Sequence, residues 1–105
     1  MKDIDFGKGN GLVPTVIQDY KSGEVLMFGY MSQGSLQKTQ ETKWVHFWSR
    51  SRGKLWMKGE ESGNKLKLKN IYKDCDNDSL LIKVGLIGKS VCHKGKKTCF
   101  SEEVI

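Results

Sequence analysis

Leu12-Val13-Pro14-Thr15-Val16-Ile17-Gln18-Asp19, then Tyr20-Lys21-Ser22-Gly23, then Glu24-Val25-Leu26-Met27-Phe28-Gly29-Tyr30-Met31 is the stretch that decides the fold class. The first run is apolar and β-branched, the composition of a strand. The middle four residues are turn-forming, and the last run is apolar again, so the pair reads as a β-hairpin. Immediately after it, Ser32 is placed to N-cap a short helix over Gln33–Thr42. Gly34 opposes that helix, whereas Leu36, Gln37, Lys38 and Gln40 favour it. Further along, residues 44–48 are aromatic and β-branched, and residues 55–58 follow an Arg52-Gly53 turn; both read as strands. Residues 65–73 alternate Lys with Leu66, Leu68 and Ile71, imperfectly, as a half-exposed strand does. Residues 80–87 form a strong apolar strand. Many short strands and one helix predict a mainly β domain, α+β by content.

A chain of 105 residues is one domain by length, expected to run over 1–105. Its first residues, 1–11, are rich in Gly and charge and read as a mobile N-terminal arm. No stretch approaches the roughly 20 apolar residues a bilayer span requires. Nor does MKDIDFGKGN hold a signal-peptide core. The expectation is a cytoplasmic protein without a membrane partner. The net charge of +6 suits an anionic partner: nucleic acid, an acidic membrane surface or a phosphorylated metabolite.

The three cysteines are the strongest chemical signal. An odd number argues against a closed set of internal disulfides. Three thiolates also leave a tetrahedral zinc one ligand short, as catalytic zinc sites are. Cys75 lies in Asp74-Cys75-Asp76-Asn77-Asp78, and the others close Cys92-His93-Lys94-Gly95-Lys96-Lys97-Thr98-Cys99. In an extended segment Asp74, Asp76 and Asp78 would share one face and Cys75 would take the other. Oxygen clusters suit Mg²⁺ or Ca²⁺, and thiolate suits Zn²⁺. An EF-hand is excluded, because Ser79 and Gly85 stand where that loop needs Gly and Glu. A solvated acidic turn is the plain alternative. His93 is placed to ligate metal or shuttle a proton, or is simply a loop histidine. His46, amid Trp44, Val45, Phe47 and Trp48, reads as a core or interface residue.

Ser49-Arg50-Ser51-Arg52 sets two guanidiniums beyond a strand, and such forks suit phosphate oxygens. Trp56-Met57-Lys58-Gly59-Glu60-Glu61-Ser62-Gly63-Asn64 follows, with glycines that permit close backbone approach to an anion. Either segment alone is more often an exposed loop.

Together these segments resemble the phosphoribosyl-AMP cyclohydrolase family of histidine biosynthesis, from about Leu12 to Phe100. The markers are VLMFGYM, FWSRSRGKLWMKGEESGN, DCDND and CHKGKKTCF, in the family's order. The resemblance implies a small, partly open β-barrel-like domain in an intertwined homodimer. It implies zinc-dependent hydrolysis of the N1–C6 bond in the purine ring of phosphoribosyl-AMP. Cys75 of one chain would join Cys92 and Cys99 of the other on Zn²⁺, and Asp74, Asp76 and Asp78 would hold Mg²⁺. His93 is the candidate proton shuttle. Arg50, Arg52 and Lys58 are the candidate phosphate contacts, with Ser62, Gly63 and Asn64 as loop donors. Position 57 is Met where the family often has His. The chain ends at Ile105 without a fused second enzyme and is expected to be monofunctional. The competing reading is a small basic, zinc-stabilised nucleic-acid-binding module using Trp44, Trp48 and Trp56 as stacking platforms. Adjacent aspartates, which repel phosphate, weigh against it, and no nucleic-acid partner is expected.

Overall fold

Strand β1 (Leu12–Asp19) turns Val13, Thr15 and Ile17 into the interior, where each is fully buried, and Val16 outward. That alternation is the two-residue period of a pleated strand with one face on a core. The structure is a computed structural model and describes residues 3–105. Strand β2 (Val25–Ser32) pairs antiparallel with β1, as the hairpin reading expects. Asp19 shapes the turn: its carboxylate accepts the N–H of Lys21 at 2.8 Å and of Ser22 at 3.3 Å. Gly23 then supplies the left-handed φ of 78° that returns the chain.

Helix α1 (Gln33–Thr42) begins at a capping box. Ser32 Oγ accepts the Ser35 N–H at 3.1 Å, and Ser35 Oγ accepts the Ser32 N–H at 2.8 Å. Such a cap contributes about 1 kcal/mol, which offsets the roughly 1 kcal/mol that Gly34 costs. Leu36 and Thr39 are buried beneath the helix.

Strands β3 (His46–Ser49) and β4 (Lys54–Met57) form a separate two-stranded ribbon. Strands β5 (Lys65–Lys73) and β6 (Leu80–Ile87) pair antiparallel, and β6 lies parallel to β1. The main sheet is therefore mixed, in the order β2-β1-β6-β5. The ribbon is laid over its inner face. Thr39 Oγ1 accepts the His46 N–H at 2.9 Å and ties α1 to β3. Val45 N–H donates to Leu66 O at 3.0 Å, and Leu68 N–H donates to Lys43 O at 2.8 Å. Phe47 lies against Gly29 of β2, so closely that a Cβ there would stand 2.7 Å from its ring. Leu26, Met31, Leu36, Val45, Phe47, Leu66, Ile82 and Val84 make up most of the core between sheet and ribbon.

The mainly β architecture with one short helix is as expected. The sheet stays open, and the domain is barrel-like only in that the ribbon curls over one face. Three strands shift slightly from expectation: β2 is Val25–Ser32 and not 24–31, β4 is Lys54–Met57 and not 55–58, and β3 starts at His46, not Trp44. β3 starts late because Trp44 bridges to Lys67 of β5 and Val45 N–H bonds to Leu66 O, so the chain enters the ribbon only at Val45 O, which accepts the Lys58 N–H. Residues 1 and 2 of the expected arm lie outside the described residues. Of the remainder, Ile4 and Phe6 pack on the core, and Asp5 N–H donates to Asn77 O at 2.6 Å. No helix among the described residues is long and apolar enough to cross a membrane.

Candidate active site

The acidic segment is a tight turn between β5 and β6, which corrects the picture of an extended strand with metals on opposite faces. Asp74 N–H donates to Ser79 O at 3.0 Å, and Asn77 takes a left-handed φ of 66°. Asp74 Oδ1 accepts the N–H of Asp78 at 3.0 Å and of Ser79 at 3.3 Å. An aspartate bonded to the backbone a few residues on nucleates a turn more readily than a strand. The turn still does what the spacing suggested: one oxygen from each of Asp74, Asp76 and Asp78 lies within 4.8 Å of the others. Desolvation works against ionisation of Asp74, but hydrogen bonds from Asp78, Ser79 and Asn77 outweigh it and hold the carboxyl below its ordinary value. An all-oxygen set of this kind fits a hard divalent cation. Lys8 Nζ sits 3.4 Å from Asp78 Oδ2, and this hydrogen bond raises its pKa.

Cys75 is exposed at the tip of this turn. Its thiol donates to Asp76 Oδ1 at 3.2 Å, on the carboxylate side instead of the opposite one. That bond, with the charge of Asp76, pushes its pKa up.

Beyond β6 the chain folds back over the end of the sheet. Val91 N–H donates to Lys97 O at 3.1 Å and Cys92 N–H to Lys96 O at 3.0 Å, with Gly95 at a φ of 84° between them. Cys99 N–H reaches Leu26 O at 2.8 Å, and Thr98 Oγ1 reaches Val25 O at 2.7 Å. This small loop brings Cys92 and Cys99 side by side. Burial pushes the Cys99 thiol up, and the neighbouring Cys92 thiol adds to the effect, while Lys58 opposes it. Lys94 N–H points at Cys92 Sγ, 3.4 Å away. Cys92, His93, Cys99 and Phe100 line a cleft of about 370 Å³.

The basic segment lies nearby. Arg52, Trp56, Lys58, Gly59 and Ser62 line a smaller cleft of about 190 Å³. Ser62 Oγ accepts the Asn64 N–H at 3.2 Å, and Gly63 takes a φ of 80°. Arg50 is not in that cleft; its guanidinium stacks 3.9 Å above the Tyr30 ring. Lys58 Nζ donates to Val91 O at 2.6 Å, and the Asn64 carboxamide bonds to Lys89 N–H and Ser90 Oγ. His46 is buried, with Nδ1 2.7 Å from Trp44 O, which is the core role its surroundings suggested.

One chain therefore gathers Cys92, Cys99 and His93 beside Arg52, Lys58 and Ser62. Cys75 does not join them: among the described residues, the aspartates are the only three metal-type ligands close enough for one ion. Lys8, Tyr30, Ser90 and Val91 escaped sequence reasoning, since their partners are distant in the chain and no local pattern marks them.

Carboxylate, thiol and guanidinium groups on the loops of a small β domain define a candidate hydrolase. The comparisons name the family. The sequence model of phosphoribosyl-AMP cyclohydrolase matches residues 27–101. A phosphoribosyl-AMP cyclohydrolase of Clostridium botulinum is 55% identical over 105 residues, covering 100% of this chain and 94% of its own. One of Listeria innocua is 58% identical over 100 residues, covering 95% and 92%. A histidine biosynthesis bifunctional protein of Photobacterium profundum is 56% identical over 100 residues, covering 95% of this chain and 48% of its own. The chain belongs to the phosphoribosyl-AMP cyclohydrolase family.

Proposed function

We propose that this protein hydrolyses the N1–C6 bond of the purine ring of phosphoribosyl-AMP, as a homodimer that builds each active site from both chains. The observation that carries the reading is the side-by-side Cys92 and Cys99, with the third cysteine exposed on a different turn. Two thiols from one copy and Cys75 from a second make the three-ligand set that leaves a fourth position open. Zn²⁺ held there would supply Lewis acidity toward water near neutral pH. Asp74, Asp76 and Asp78 would hold Mg²⁺, which would supply positive charge beside an anionic substrate.

This chain's own residues do the rest. Arg52 and Ser62, with Gly63 next in the loop, bind one phosphate at the small cleft, and Arg50, braced on Tyr30, takes the other. As water adds to C6 and the C6–N1 bond breaks, N1 leaves with a proton. His93, lining the same cleft as the two cysteines, is placed to deliver it.

The outer sheet face supports the second copy. Phe28, Val16, Leu81 and Tyr72 are register partners across all four strands of the main sheet. Phe28 is 43% and Tyr72 49% exposed. An apolar row this long on a small domain marks an interaction surface. Val16, Tyr72 and Leu81 line a hollow that also contains Asp74, so the row adjoins the turn bearing Cys75. As for the nucleic-acid reading, Trp56 packs on Phe47, and Lys65 and Lys67 sit over Trp44.

The test is to add phosphoribosyl-AMP to zinc-loaded protein and follow ring opening by ultraviolet absorbance. Turnover that a chelator abolishes is expected. Salt-dependent oligonucleotide binding without turnover would replace this reading with the other.

A further inference from the structure

Three side-chain bonds join the basic loop to the cysteine tail. Lys58 Nζ donates to Val91 O at 2.6 Å. Asn64 Oδ1 accepts the Lys89 N–H at 3.3 Å, and Asn64 Nδ2 donates to Ser90 Oγ at 3.4 Å. Two of the three receiving residues are interior, Ser90 at 9% and Val91 at 2% exposed, while Lys89 is exposed. Two glycines clear the way. A Cβ at Gly88 would collide with the Asn64 carboxamide, and one at Gly59 with the Asn64 carbonyl. Both glycines also hold positive φ, 86° at Gly59 and 108° at Gly88, which other residues adopt with strain.

A side chain that meets one phosphate needs no such accommodation. We infer that Lys58 and Asn64 are positioning residues: a clasp that seats the Cys92–Cys99 tail against the Arg52–Ser62 cleft. One donor of each bonds the tail, Lys58 to the Val91 carbonyl and Asn64 to the Ser90 hydroxyl, and the Asn64 carbonyl holds the Lys89 N–H, so they set the distance between the paired thiols and the bound substrate. The inference rests on the proposed hydrolysis for its kinetic consequence, though the clasp itself does not depend on that activity.

Asn64→Ala and Asn64→Asp separate a clasp from a phosphate contact. Aspartate keeps the acceptor for Lys89 N–H, and the Ser90 hydroxyl can turn to donate to it. Aspartate beside a phosphate adds like-charge repulsion. In the clasp, Asn64→Ala speeds amide exchange in residues 89–99 by roughly tenfold, the effect of losing about 1.4 kcal/mol of hydrogen bonding. Exchange in β5 and β6 stays as in the wild type. Turnover of phosphoribosyl-AMP falls in kcat with KM little changed, and Asn64→Asp recovers most of both losses. Lys58→Met behaves like Asn64→Ala, and Lys58→Arg, which keeps a donor, recovers. The inference is overturned if tail exchange is unchanged in Asn64→Ala and Lys58→Met while KM rises, most of all in Asn64→Asp. If the wild type shows no turnover, the proposed activity fails, and the exchange measurement alone decides for or against the clasp.

Discussion

Mixing two inactive variants tests the shared site most directly. Cys75→Ser removes the thiol at the acidic turn, and Cys92→Ser removes one of the pair in the tail. Each homodimer should be inactive, because all of its sites lose a ligand. In a two-fold dimer the two sites are equivalent, each drawing its tail pair from one chain and Cys75 from the other. A heterodimer of the two variants then holds one site with all three cysteines and one site lacking two. Random exchange of an equal mixture makes about half the dimers heterodimers, each with half its sites intact, so activity should recover to about one quarter of the wild-type value. The assay is turnover of phosphoribosyl-AMP before and after exchange, with tagged chains purified to confirm heterodimer formation. Confirmed heterodimers without activity would refute the reasoning, since a site assembled inside one chain cannot be repaired by mixing.

Gly29→Ala should destabilise the fold by about 1–3 kcal/mol, since the new methyl meets the buried Phe47 ring. Without that contact, Ala in a strand would stabilise by roughly 0.5–1 kcal/mol, so urea unfolding decides by the sign alone. Asp19 is held below its ordinary pKa of 3.8, chiefly by the Lys21 N–H, with Ser22 and Lys97 assisting against desolvation. A lowered folded pKa stabilises above the unfolded value and is lost as pH falls through the folded one. Thermal melts should therefore show an acid-side loss that is smaller in Asp19→Asn, and equal slopes would contradict the turn's role. Asp76→Asn should weaken Mg²⁺ binding in calorimetry while leaving zinc content unchanged, and unaltered Mg²⁺ binding would remove the aspartates from that role.

Strand content was legible because periodicity is a local property. Val13, Thr15 and Ile17 alternate, the lysines of β5 alternate with Leu66 and Leu68, and Ser32 announces α1. The chemical nature of the candidate site was equally legible, because carboxylates and thiols declare what they can hold by type. What carries a residue from one end of the chain to another was not. Nothing local makes β1 and β6 parallel neighbours, lays the ribbon across the sheet, or sends Lys58 to Val91. The acidic segment shows the boundary well. Its composition offered a candidate cation site or a plain acidic turn, but its shape was not legible, because backbone bonds to Asp74 and the left-handed Asn77 close it into a turn.

By itself the sequence determined which segments bury a face and which residue types have the chemistry to hold a metal or a phosphate, since both follow from side chains a few positions apart. Tertiary structure alone decided which of those residues meet. It set Cys92 beside Cys99, left Cys75 on a separate turn, and bonded Lys58 and Asn64 to the tail. Those outcomes depend on long-range strand pairing and on which backbone groups remain unbonded at the end of the sheet, and no local pattern carries that information.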